Sequence, residues 1–137
     1  MKSSRYLLTF VMVNGTSWLV ITKLDVLDEL KEIPVCMGYK INGKANDEIP
    51  AEASDWDRIE CVYRALPGWN TPTKGITEYG KLPKPAREYL EFIAREAGAR
   101  IAMVSTGPGR EETIFVDEFL AELQSMGDGK SRAQARR

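Results

Sequence analysis

The chain has 137 residues, with 19 Lys plus Arg against 20 Asp plus Glu and no histidine, so it carries a net charge of -1. That length suits one domain, a hydrophobic content of 43% suits a packed core, and the near-neutral balance argues against a dedicated nucleic-acid binder. Without histidine there is no Ser-His-Asp or Cys-His machinery, no His-ligated zinc and no imidazole acid or base.

In chain order, Tyr6 to Val13 is apolar but too short to span a membrane, and Asn14-Gly15 breaks it with a turn signal. Its propensity fits strand and its length fits two turns of helix. With no leader pattern, the expectation is a cytoplasmic protein with no membrane partner. Trp18 to Ile21 is continuous and β-rich, which predicts a strand buried on both faces, as in a parallel sheet. Glu29 to Glu32 reads as a polar helical turn ended by Pro34. Val35 to Ile41 alternates loosely into Asn42-Gly43, the strongest hairpin signal in the chain.

Lys44 to Asp57, with Pro50, reads as a surface connection, and Ile59, Cys61 and Tyr63 mark a further strand. Leu66-Pro67-Gly68-Trp69 reads as a turn and Asn70 to Gly80 as a loop. Cys36 and Cys61 match no CxxC spacing and make no disulfide framework, so both are expected to be buried free thiols. The clearest helix begins near Pro83, with Ala86, Tyr89, Leu90, Ile93 and Ala97 on one face and Gly98 as its stop. Arg100 to Val104 is a short strand. A last amphipathic helix is predicted from about Asp117 to Met126, with Phe119, Leu120 and Leu123 inward. The segment 127–137, with Lys130, Arg132, Arg136 and Arg137, is expected to be a disordered basic tail.

Two strand ends carry chemistry. Thr22-Lys23-Leu24-Asp25 follows the first strand, where ligands bind in open α/β sheets. A carboxylate accepts two hydrogen bonds side by side, and guanine offers N1-H and its 2-amino group as adjacent donors, whereas adenine presents an acceptor at N1. Lys23 has a stem and cation able to lie over a ring face. The same four residues also fit a strand-end lysine with Asp25 as a helix cap. Ser105-Thr106-Gly107-Pro108 follows the strand at Ile101 to Val104, and its turn exposes peptide groups and a hydroxyl suited to a guanine O6. An ordinary turn is the alternative. Trp18, Trp56 and Trp69 read as core or interface anchors, and Glu111-Glu112 as a solvated pair.

These motifs resemble one family. Thr22-Lys23-Leu24-Asp25-Val26-Leu27-Asp28, Ile33 to Gly43, Leu66-Pro67-Gly68-Trp69 with Gly75-Ile76, Leu82 to Ile93, and Ser105-Thr106-Gly107-Pro108-Gly109-Arg110 are similar to the C-terminal third of adenylosuccinate synthetase, over roughly residues 5 to 115. The resemblance implies a ligase of purine biosynthesis, joining IMP and aspartate with GTP and Mg2+ through 6-phosphoryl-IMP on the route to AMP. It implies that Lys23, Leu24, Asp25, Ser105, Thr106 and Gly107 hold the guanine base of GTP, and that Tyr6 to Val13 is a helix.

The implied fold is α/β: a portion of a mainly parallel sheet with a hairpin excursion and flanking helices, from the C-terminal region of a P-loop-like GTP-dependent ligase. The expected organisation is a guanine-binding region at 1–115, an added helix at 116–126 and a tail at 127–137. The family's glycine-rich phosphate loop, catalytic aspartate and histidine, Mg2+ ligands, IMP site and aspartate loop have no counterpart in these residues, and no G-x-x-x-x-G-K-[ST] occurs. Met1 to Ser4 then looks like a start just after the aspartate loop, as in a truncated or split enzyme. The alternative is a non-catalytic fragment that binds guanine nucleotide or pairs with a partner. The expected partners are guanine nucleotide and either further copies of the chain or an N-terminal partner chain. Apolar surface is expected around Leu19, Val20 and Ile21.

Overall fold

The computed structural model describes Gly15, residues 17–46 and residues 58–134. Met1 to Ser4, the apolar run Tyr6 to Val13, Pro50, Trp56, Arg136 and Arg137 lie outside the described residues. Six strands form two sheets: β1 (Trp18–Ile21), β2 (Glu32–Ile41), β3 (Lys44–Asn46), β4 (Ile59–Pro67), β5 (Arg100–Ser105) and β6 (Thr113–Phe115). One sheet has the order β1-β5-β6 and the other β3-β2-β4. Of the two α-helices among the described residues, α1 (Lys84–Ala97) precedes β5 and α2 (Asp117–Gln134) comes after β6. The fold is therefore α/β. Among the described residues only β1 with β5 is parallel, and the other pairings are antiparallel. These residues thus do not display the mainly parallel character expected of the sheet.

Helix α1 follows its sequence pattern. Ala86, Leu90 and Ala97 are fully buried, and Gly98 ends the helix in the left-handed region, its N–H reaching the carbonyls of Ala94 and Arg95. Phe92, on no predicted stripe, is also buried, beneath the guanidinium groups of Arg64 and Arg95. The core joins α1 to both sheets through Leu24, Ile33, Val35, Trp69, Leu90, Val104 and Ile114. The β2–β3 hairpin closes on Asn42 (φ 51°) and Gly43 (φ 77°), the two positive φ values that a type I′ turn needs.

Several expectations change. Among the described residues β1 pairs with β5 alone, and Leu19 is buried but Val20 is 54% exposed, so these residues do not cover the strand on both faces. The polar turn expected at Glu29 to Glu32 is instead a 3-10 turn at Leu24–Leu27, because Leu24 plunges into the core. Pro34 does not end an element but sits inside β2, opposite Ala65. Cys36 is buried, but Cys61 is exposed because β4 turns most of its side chains to solvent.

Helix α2 continues past Met126 to Gln134, where a disordered tail was expected. The segment 127–134 contains no proline that would interrupt the helix. Leu120 and Leu123, expected inward, are 38% and 47% exposed. The helix is held at its first turns instead. The Phe119 ring meets Trp18 edge-on at 5.2 Å, and Trp18 Nε1 donates to Glu122 at 3.2 Å. The Arg100 guanidinium lies 4.0 Å over Trp18 and bonds Glu118 and Glu122 at 3.0 and 2.9 Å. The bond to Glu118 is the main cause that raises the pKa of Arg100.

Leu90 has no exposed surface and joins α1 to both sheets. Leu90→Ala should lower the unfolding free energy by about 2–5 kcal/mol, read as a shift of the urea midpoint.

Candidate functional site

The two motif loops leave the same edge of the same pair of strands. β1 and β5 run parallel with Ile21 opposite Val104, so both chains emerge at one end, Thr22-Lys23 from β1 and Ser105-Thr106 from β5. Between them lies a cleft of about 390 Å³, lined by Thr22, Lys23, Asp25 and Val26 on one side and Ser105, Gly107 and Pro108 on the other. Asp25 also borders a second hollow of about 480 Å³, with Asp28, Asn70 and Lys74 among its lining residues.

Lys23 makes the bend out of β1 with φ 57° and ψ 48°, a left-handed conformation uncommon for a side chain of this size. The Leu24–Leu27 turn then begins, with Leu24 as its buried anchor. Asp25 lies inside this turn, and the residue at the cap position is Lys23, so Asp25 is not the helix cap that its spacing also allowed. Its Oδ1 is buried and accepts no hydrogen bond from the described residues. A buried carboxylate oxygen without a donor costs about 1–3 kcal/mol, and two donors placed side by side in the cleft would relieve it.

Across the cleft, the Ser105 hydroxyl donates to the Gly107 carbonyl at 2.7 Å and tightens the turn. Thr106 is fully buried. Its N–H donates to the Glu112 carbonyl at 2.8 Å, and its hydroxyl lies 3.0 Å from the Ile76 carbonyl and 3.2 Å from that of Glu112. Glu112 is not simply solvated. Its Oε2 accepts from the Gly109 N–H at 2.7 Å, and its carboxylate fills the space that a Cβ on Gly107 would need. Glu111 is exposed, as expected of both.

Of the six residues singled out in sequence, Lys23, Asp25, Ser105 and Gly107 line the cleft, whereas the side chains of Leu24 and Thr106 are buried beneath it. Trp69 and Trp18 pack in the core and against α2 respectively, as anchors. Sequence reasoning missed the supports. The Asp28 carboxylate accepts three bonds, from Trp69 Nε1 at 2.7 Å, the Thr73 N–H at 2.6 Å and the Thr73 hydroxyl at 2.7 Å. The available signal was the second aspartate of the Asp25–Asp28 string; nothing local marked Thr73. Among the described residues no group of three or more His, Cys, Asp or Glu could hold a metal ion. No helix among them is long and apolar enough to cross a membrane.

The fold is an α/β architecture with two motif loops at one end of a parallel strand pair. The family model for adenylosuccinate synthetase matches residues 5–114, and the chain belongs to that family. It is 52% identical over 112 residues to the adenylosuccinate synthetase of Koribacter versatilis, covering 82% of this chain and 25% of the relative. It is 44% identical over 110 residues to that of Aquifex aeolicus, covering 80% and 26%. A solved structure of fully ligated adenylosuccinate synthetase from Plasmodium falciparum superposes with a TM-score of 0.78 at 28% identity, covering 84% of this chain and 28% of that one. The chain thus spans about a quarter of the length of the curated relatives it matches.

If Asp25 Oδ1 is held unpaired for a ligand, its removal should help the free chain. Asp25→Ala should raise the unfolding free energy by about 1–3 kcal/mol. An unchanged or lower urea midpoint would show that the carboxylate stabilises the turn instead.

Proposed function

We propose that this chain supplies the guanine-base site of GTP in a GTP-dependent ligase that joins IMP and aspartate to form adenylosuccinate. In this reading it corresponds to the C-terminal third of the enzyme, and β1 with β5 belongs to a larger, mainly parallel sheet. The observation that carries the reading is Asp25 Oδ1, buried and unpaired among the described residues, on the wall of a cleft shared by both motif loops. Asp25 accepts from guanine N1-H and the 2-amino group. The Ser105-Thr106-Gly107 turn lies toward O6 across the cleft, the Thr106 N–H being held by the Glu112 carbonyl, and the stem of Lys23 covers the ring. Adenine, with a lone pair at N1, meets the carboxylate acceptor to acceptor, and a site built for paired donors rejects such a base by about 10^4-fold or more.

The phosphates, Mg2+, IMP and aspartate are handled by parts of the family outside these residues. Phosphoryl transfer rests on positioning and metal charge, so the chain serves the reaction by holding the base. A second reading is association, with further copies or with an N-terminal partner chain. The exposed apolar side chains Val20, Phe115, Leu120 and Leu123 favour it.

The pure chain, given IMP, aspartate, GTP and Mg2+, should form no adenylosuccinate above a no-protein control; detectable turnover would place catalytic groups within it. The base site is tested in a chain joined to the rest of the enzyme. Asp25→Asn should lose GTP and gain XTP, because an amide donates to the 2-carbonyl of xanthine while still accepting from N1-H. Each mismatched pair should shift the balance by about 1–3 kcal/mol. An unchanged GTP/XTP preference would remove Asp25 from the site.

A further inference from the structure

The two walls of the cleft leave paired strands, with Ile21 opposite Val104. Beyond the strands they are also joined through a buried residue in the loop after β4. Thr73 is fully buried and does not line the cleft. Toward β1, its N–H and hydroxyl donate to the Asp28 carboxylate at 2.6 and 2.7 Å, and the Asp28 N–H donates to the Asp25 carbonyl at 3.1 Å. Toward β5, its carbonyl accepts from the Ile76 N–H at 3.1 Å, and the Ile76 carbonyl lies 3.0 Å from the Thr106 hydroxyl. The relay runs from Asp25 through Asp28, Thr73 and Ile76 to Thr106, through consecutive hydrogen bonds.

We propose that Thr73 is the positioning residue of the base site, coupling the Asp25 turn to the Ser105–Gly107 loop so that the two walls keep the spacing a guanine edge requires. This role presupposes that the cleft takes a guanine base. Because Thr73 does not line the cleft, it acts only through the turn and the loop it ties together. Its hydroxyl matters more than its bulk. Thr73→Val keeps the volume and the N–H but removes one of the three donors to a part-buried carboxylate, which loosens Asp28 and the turn it carries while the Trp69 and Thr73 N–H bonds remain. Thr73→Ser keeps the donor.

The test uses the isotope-labelled full chain titrated with GDP and with IDP, which lacks the 2-amino group, and followed by amide resonances. The ratio of the two affinities reads the aim of the Asp25 carboxylate, which global stability alone does not set. Wild type should prefer GDP. Thr73→Val should shrink that preference by about 5–10-fold, Thr73→Ser should restore it, and the Asp25 and Gly107 amides should shift together in the free Thr73→Val chain. A wild-type GDP/IDP ratio in folded Thr73→Val overturns the positioning role and leaves the base site standing. If Thr73→Val does not fold, Thr106→Val, which cuts the other end of the relay, decides by the same ratio: a reduced preference supports the coupling and an unchanged one overturns it. A wild-type chain that binds neither nucleotide, or both equally, overturns the base-site reading and the positioning role together.

Discussion

The parallel pairing of β1 with β5 is the constraint on which the site depends. Two strands that run side by side in the same direction deliver their succeeding loops to one edge, so Thr22-Lys23 and Ser105-Thr106 become neighbours although about eighty residues separate them in the chain. An antiparallel pairing would send the two motifs to opposite ends. The crossover between the strands carries the β2–β3–β4 sheet and α1, and α1 packs the assembly against one shared core. Ile21 and Val104, opposite each other at the last rungs, set the distance between the loops.

A cleft between two loops needs something to stop the loops moving independently. Here it is a polar relay of unusual density for a connecting segment. Asp28 has three donors, and Thr106 is fully buried with its hydroxyl between two carbonyls. Buried polar groups that are fully paired rigidify what they join, and one left unpaired is costly. The contrast between Asp28 and Asp25, one turn apart, is therefore informative. One carboxylate is fully engaged by the protein, and the other keeps a buried oxygen with no donor among the described residues. The first supports and the second is available.

Outside the site, α2 is attached by a small set of contacts near its start. Arg100 sits between the Trp18 ring and the two carboxylates Glu118 and Glu122, so a single cation serves a stacking contact and two ion pairs. Exposed ion pairs alone contribute little because solvent screens them, and the aromatic contact with Phe119 adds apolar burial at the same point. Beyond it, Leu120, Leu123 and Met126 remain exposed, as does Val20 on β1.

The amino-acid order by itself determined the features that depend on residues close in the chain. The period of Ala86, Leu90 and Ala97 specified α1, Gly98 its end, Asn42-Gly43 the hairpin, and the β-rich run Trp18 to Ile21 the strand that carries the first motif. The chemistry of the Asp25 and Ser105–Gly107 motifs was legible for the same reason, since donor and acceptor types are written in the residues. Only tertiary structure decided which faces were covered and which polar atoms found partners. Pro34 sits within a strand opposite Ala65, Leu120 and Leu123 stayed in solvent while α2 is clasped at Trp18, and Leu24 and Thr106 turned inward while their neighbours lined the cleft. The bond from Thr73 to Asp28 spans 45 positions of sequence, and a threonine in a Pro/Gly loop carries no local mark of the carboxylate it will meet. Burial and hydrogen bonding over such distances are settled by how sheets and helices pack, which no short stretch of residues encodes.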